Sequence, residues 1–195
     1  MEKYAHIHEY GRDILYPYSR FFPSNHLLFK TKNTDRKLES LLGLKLLSDL
    51  LLKIDSQQKL EDIQYEPNGK PYFPDADLYF SIAHSQGMVL VSLEEHPVGI
   101  DLEFSQPRSF TMPEIYLNSQ LLTFTGQDNW INAWVHQEAA LKMFGWNDLR
   151  CCQMIIWDSA KKGNFKGHPF HIQEIKVHVD YYAAKCSEQT GQCAV

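Results

Sequence analysis

Long apolar runs are missing from this 195-residue chain. The longest uncharged apolar stretches, such as residues 154–157, fall far short of the roughly 20 residues that span a bilayer, so no transmembrane helix is expected. Met1-Glu2-Lys3-Tyr4-Ala5-His6 carries neither the basic nor the apolar region of a signal peptide, which points to the cytoplasm. Positive charge is not in excess either: 19 Lys+Arg against 24 Asp+Glu leave a net charge of −5. Broad nucleic-acid binding is therefore not expected, and any anionic ligand must meet a local basic cluster. Cysteine is scarce: Cys151 and Cys152 are adjacent, Cys186 and Cys193 lie late in the chain, and in a reducing compartment all four read as free thiols. His6-x-His8 and His168-x-x-His171 each lack a second Cys or His pair at zinc-site spacing, so a structural zinc is not expected. There is no internal repeat, low-complexity tract or obvious linker, the weakest boundary being residues 105–113. What remains is 44% hydrophobic and 13% aromatic, ample for a core in one domain or two small packed halves.

Residues 1–34 show no sustained periodicity and read as short strands and loops. Leucines at 38, 41, 42, 46, 50 and 51 then give one broad apolar face, and Asn33, Thr34 and Asp35 offer cap oxygens, which predicts a long helix over 35–54. Gly43 inside it marks a close approach or is simply tolerated. Pro67-Asn68-Gly69-Lys70-Pro71 is a turn cluster. Stretches 78–83, 88–93 and 98–103 are rich in strand formers and separated by turn residues, which predicts an antiparallel meander. A second helical region is expected from near Pro113, with its clearest helix over 129–144 and Gly145 as the stop. Strand-like stretches follow at 153–157 and 170–182, and residues 185–195 read as a frayed tail.

Strict alternation in Val98-Gly99-Ile100-Asp101-Leu102-Glu103 sends Val98, Ile100 and Leu102 to one face and sets the Asp101 and Glu103 carboxylates side by side on the other. Two such carboxylates either bridge a cation or stay solvated at an exposed strand. Gly99 beside them allows a ligand or another backbone to come close. Trp134, Glu138 and Lys142 are spaced by four, and each step rotates only about 40°, so they form one helical stripe. Alone, that stripe is equally an ordinary surface Glu–Lys pair above a core tryptophan.

The ordered set Gly69-Lys70-Pro71-Tyr72-Phe73, Phe80-Ser81-Ile82-Ala83-His84-Ser85, Val98-Gly99-Ile100-Asp101-Leu102-Glu103 and Trp134-Val135-His136-Gln137-Glu138-Ala139-Ala140-Leu141-Lys142 is more specific than any part. It resembles the 4′-phosphopantetheinyl transferase superfamily, of the single-chain surfactin-synthetase-activating type. The motifs span residues 69–142, while the first 30 residues and everything after Gly145 carry no resemblance.

The resemblance implies an α+β fold, a pseudo-dimer of two similar halves, each a small antiparallel sheet packed with helices, with the active site in the cleft between them. Residues 1–104 would form the N-terminal half and 105–195 the C-terminal half. It implies an enzyme, a holo-[acyl-carrier-protein] synthase, that transfers the phosphopantetheine arm of coenzyme A to a serine of an acyl or peptidyl carrier protein and releases adenosine 3′,5′-bisphosphate. Magnesium would be the cofactor, with Asp101, Glu103 and Glu138 as its ligands, and the protein would act as a monomer. Lys142 would hold phosphate oxygens and stabilise the leaving group, His84, following its strand, would contact phosphate, and Lys70 would lie beside the nucleotide. Glu138, or a metal-held water that shares its role, would take the serine proton. On this reading Asp101→Ala abolishes transfer and leaves the fold intact.

Three positions depart from the family pattern. Ala83 stands for a serine, Gln137 for a lysine just before Glu138, and Glu39 for an arginine; Arg36 one turn earlier, with Lys37, is the expected substitute on the phosphate. These departures keep open a second function, a catalytically impaired module that binds coenzyme A or a carrier protein. The carrier would dock on Met112, Ile115, Tyr116 and Leu117 with Arg108, although the apolar members equally suit the buried face of a helix.

Overall fold

The leucines from Leu38 onward do form one helix, and its burial organises the first half of the chain. The computed structural model describes residues 1–24, 26–67, 69–74, 77–106, 116–126, 129–146 and 148–189. The chain is α+β and divides into two units, Met1–Glu95 and His96–Val195. The first contains β1 (Glu2–His6), the short helices α1 (Arg12–Leu15) and α2 (Leu27–Lys30), the long helix α3 (Thr34–Lys53), and strands β2 (Gln64–Tyr65), β3 (Pro71–Tyr72), β4 (Tyr79–Ser85) and β5 (Met88–Glu94). The second contains β6 (Val98–Phe104), helices α4 (Ser119–Thr125) and α5 (Trp130–Met143), and strands β7 (Ile155–Ser159), β8 (Lys162–Phe165), β9 (His168–Glu174) and β10 (Tyr181–Glu188).

Asn33 caps α3, its Oδ1 accepting from Arg36 N at 3.1 Å. Leu41, Leu42, Leu44, Leu46, Leu47 and Leu50 are all buried, because α3 packs on the antiparallel sheet β1-β5-β4 and also on α1 and the 3₁₀ segment Tyr16–Phe21. Gly43 marks a close approach: a Cβ there would lie 2.9 Å from Ile82 Cγ2 on β4. The β4–β5 hairpin turns on Gln86 (φ 49°) and Gly87 (φ 85°), a pair of left-handed residues that suits the twist of a two-residue hairpin. The turn cluster joins β2 to β3, with Gly69 at φ 87°; Asn68 lies outside the described residues.

In the second unit an antiparallel sheet runs in the order β6-β10-β9-β8-β7, and α5 packs on β6 and β10. Its core joins Ala133, Ala139, Ala140 and Leu141 of α5 to Trp157, Phe165, Phe170 and Cys186 of the sheet. Gly145, at φ 72°, follows the end of α5.

The meander is thus corrected. Strands β4 and β5 pair, but β6 pairs with β10, in the register Asp101↔Ala184 and Glu103↔Tyr182. The division between units accordingly falls after Glu95, ahead of residue 104, since a strand belongs with the sheet that satisfies its backbone. Within the expected strand over 170–182, Ile175, Val177, Val179 and Tyr181 alternate with Lys176, His178 and Asp180, yet β9 stops at Glu174, Val179 is 90% exposed, and the next strand starts at Tyr181. The first four residues of the expected tail, 185–188, belong instead to β10, with Cys186 buried. Cys151, Cys152 and Cys186 are free thiols, and Cys193 lies outside the described residues.

A Cβ on Gly99 would collide with backbone atoms of α5, Ala139 O and Met143 N. Gly99→Ala should therefore lose about 3 kcal/mol or more. Gly43→Ala, which meets the stiff, β-branched Ile82 side chain and no backbone and also gains helix propensity, should lose less, about 1–2 kcal/mol. Urea denaturation of the two variants checks the contrast.

Candidate active site

Because α5 lies directly on Gly99, the next residues on the same face of β6, Asp101 and Glu103, lie under the helix that carries Glu138 and Lys142. Asp101 is only 5% exposed. The solvated-strand reading therefore fails for it. Lys142 Nζ meets Asp101 Oδ1 at 2.6 Å. Burial works against the lysine's charge, but the Asp101 and Glu138 carboxylates outweigh it and its pKa rises. Burial also pushes the Glu138 carboxyl up to about 7; Lys142 pulls the other way, and the charges of Asp101 and Glu103 add to the rise. Glu138 Oε1 is buried and has no hydrogen-bond partner among the described residues. Trp134, the first member of the stripe, packs partly buried against the core of this unit.

Among the described residues no group of three or more His, Cys, Asp or Glu side chains is drawn together closely enough to hold a metal ion. The ammonium of Lys142 is what engages Asp101 here. In kind, however, the donors fit a hard divalent cation: they are carboxylate oxygens, and the stranded Glu138 Oε1 lacks a positive or donating neighbour at bonding distance.

The other predicted residues lie in the first unit. His84 is the penultimate residue of β4, within the strand, and its Nδ1 is 3.0 Å from Oε2 of Glu39. Glu39, 6% exposed, also accepts from Gly87 N through Oε1 at 2.7 Å. Burial alone would raise its pKa, but the bonds from His84 and Gly87 and the charge of Arg36 hold it below the ordinary carboxylate range. Arg36 is exposed and Lys37 half-buried in the first turn of α3. Lys70, half-buried, sits at the exit of the β2–β3 turn, on a different sheet from His84.

The departures from the expected pattern acquire structural meaning. Gln137 is fully buried; its Oε1 accepts from Asn118 N at 2.9 Å and its Nε2 donates to Tyr116 O at 2.6 Å. It braces the segment ahead of α4 and is not turned toward the carboxylates. Ala83 is buried at 2% exposure. Leu117, expected on a docking patch, is a core residue at 6% exposure, and Tyr116 packs beside it; Arg108, Met112, Ile115 and Pro113 lie outside the described residues. Asn118 was not anticipated: it caps α4 through Leu121 N and donates to Cys152 O and Ile155 O. Only its place before a short apolar run could have signalled it.

The 4′-phosphopantetheinyl transferase gsp of Aneurinibacillus migulanus is 27% identical over 174 residues, covering 80% of this chain and 70% of the relative. The 4′-phosphopantetheinyl transferase Sfp of Bacillus subtilis is 31% identical over 114 residues, 51% of each chain. A Haemophilus influenzae protein that carries the same transferase name provisionally is 38% identical over 113 residues, 51% of this chain and 48% of the relative. The chain is thus similar to three proteins that carry this transferase name. It spans about half the length of two of these relatives and 70% of the third. No family model matches it. All three relatives are named for one enzyme activity, and no helix among the described residues is long and apolar enough to cross a membrane.

The raised Glu138 carboxyl has a consequence for stability. Its folded pKa of about 7 lies above its ordinary value of 4.5, so the fold is disfavoured as pH rises from the lower value through the higher. Glu138→Gln should stabilise the metal-free protein at pH 8 by roughly 2 kcal/mol, and the gain should shrink toward pH 5. Thermal melts of both proteins across that range measure it. The expectation that Asp101→Ala spares the fold is revised on the same grounds, since it leaves the Lys142 ammonium under α5 without its 2.6 Å partner. A loss of about 2–3 kcal/mol is expected in the same melts.

Proposed function

We propose that this chain transfers the 4′-phosphopantetheine arm of coenzyme A to a serine of an acyl or peptidyl carrier protein and releases adenosine 3′,5′-bisphosphate. The observation that carries the reading is the half-buried Glu138, whose buried Oε1 has no hydrogen-bond partner among the described residues, beside Asp101, Glu103 and Lys142. The pseudo-dimer with its cleft, the monomeric state and the cytoplasmic location implied by the resemblance are part of the same proposal.

In the reaction the serine hydroxyl forms an oxygen–phosphorus bond at the pantetheine-side phosphorus, and the bond from that phosphorus to the bridging oxygen breaks. Negative charge moves to the departing bisphosphate, so catalysis is mainly positioning and charge neutralisation. Magnesium, held by Asp101, Glu103 and Glu138, would supply charge neutralisation at the pyrophosphate. Lys142, kept charged by its carboxylate neighbours, stabilises the leaving oxygens. The serine proton would pass to Glu138 or to a water beside it: without a bound cation the carboxyl is pushed up to about 7, and binding magnesium would lower that basicity, which favours the water. Lys70, His84, Arg36 and Lys37 bind the nucleotide and phosphate end of coenzyme A.

The test is to incubate the protein with coenzyme A, magnesium and a carrier protein and to weigh the carrier. Addition of one phosphopantetheine is expected, with chelation of the metal abolishing it. Coenzyme A binding without transfer would instead identify a binding module. Asp101→Asn, which keeps the size of the side chain, should lower the transfer rate about 100-fold or more while the circular dichroism spectrum is unchanged. In calorimetric titrations, Arg36→Ala should weaken coenzyme A about tenfold and leave its analogue lacking the 3′-phosphate nearly unaffected. Equal losses for both ligands would remove Arg36 from the 3′-phosphate.

A further inference from the structure

Glu39 occupies a position that the transferase reading leaves without a task. It is a buried carboxylate on α3, it accepts from Gly87 N at 2.7 Å in the β4–β5 turn, and its other oxygen is 3.0 Å from His84 Nδ1. A carboxylate has no proton to give, so at that distance the shared proton resides on His84 Nδ1. This fixes both the tautomer and the plane of the ring, and it leaves Nε2, on the far side of the imidazole, as the atom that meets a ligand. Side chains of His84 remain 30% exposed against 8% for Glu39, so the histidine is the outer member of the pair and the glutamate the inner one.

We infer that Glu39 is a positioning residue for phosphate recognition, acting through His84: it holds the Nδ1 proton, aims Nε2 at the phosphate of coenzyme A, and locks the β4–β5 turn through Gly87 N. The inference rests on the proposed transferase reading and deepens it. With the Nδ1 proton held by Glu39, His84 offers a second N–H to the phosphate at Nε2 only as the imidazolium, in which both nitrogens donate and Nδ1–H needs an acceptor. Glu39 is that acceptor. An arginine at position 39 could contact phosphate directly but could not accept from His84 or from Gly87 N. The chain thus replaces a direct contact with a supported one, and the charge of Arg36 also reaches Glu39.

Glu39→Gln separates this role from a structural one. The amide oxygen of glutamine can still accept from Gly87 N, so the turn is retained, but its amide nitrogen donates toward His84 Nδ1 and drives the proton to Nε2. Nitrogen-15 NMR of the imidazole should show His84 switching from the Nδ1–H to the Nε2–H tautomer. Calorimetry with coenzyme A should show binding about tenfold weaker, and the transfer assay a raised KM with kcat little changed. In a His84→Ala background the same substitution should have no further effect on coenzyme A binding. An unchanged tautomer, or an equal loss of binding with and without His84, overturns the inference. If wild-type protein binds no coenzyme A although the tautomer switches, the transferase reading fails and takes the binding role of Glu39 with it, while the pair itself stands.

Discussion

The contact that the candidate active site depends on is the one between a bare α-carbon and a helix backbone. Gly99 lets α5 lie against β6 more closely than any side chain would permit. That closeness, rather than any attraction between charged groups, is what takes Asp101 out of water and brings Lys142 down onto it. Charged groups at an ordinary helix–strand distance would have kept their hydration and their ordinary titration. Here the strand and the helix are held together by the apolar core of Ala139, Ala140, Leu141, Trp157 and Phe170, and the electrostatics are a consequence of that packing.

The first unit uses a related device to opposite effect. There too a glycine allows a helix to approach a strand, Gly43 of α3 against Ile82 of β4, and there too the helix carries a buried glutamate. Glu39 finds a backbone N–H and an imidazole, and its carboxyl is held below the ordinary range. Glu138 is left with a stranded oxygen among other carboxylates and is pushed up to about 7. A satisfied glutamate strengthens the fold around it; an unsatisfied one stores a free-energy deficit that only a bound cation, a proton or a substrate group can remove. On the proposed reading the first supports and the second reacts.

Much of this was legible from residue spacing. The leucine run named α3, alternation named β6 and its two carboxylates, and a spacing of four named the Trp134, Glu138 and Lys142 stripe, because each pattern reports a local period that tertiary packing did not disturb. What escaped was non-local. Nothing in the residues around β6 says that its partner is β10 rather than β5, since pairing is made by backbone groups that every strand carries. The alternation at 175–181 imitated a strand at a place where the chain turns, and residues 185–188 read as tail because Lys185, Cys186, Ser187 and Glu188 do not look like core. Ala184 and Cys186 are small because they lie in the core beneath α5. Glu39 registered only as a departure, its partners His84 and Gly87 lying more than forty residues away.

The pairing of Asp101 with Ala184 carries one more consequence, in time rather than in space. A ribosome releases β6 long before β10, so the strand that bears two of the candidate ligands waits with an unpaired edge while nearly all of the second unit is synthesised. The first unit, whose sheet and long helix are complete by Glu94, can fold during that interval. Activity therefore cannot precede the arrival of β10, and a nascent or clipped chain that lacks it retains the motifs of the site without the sheet that arranges them.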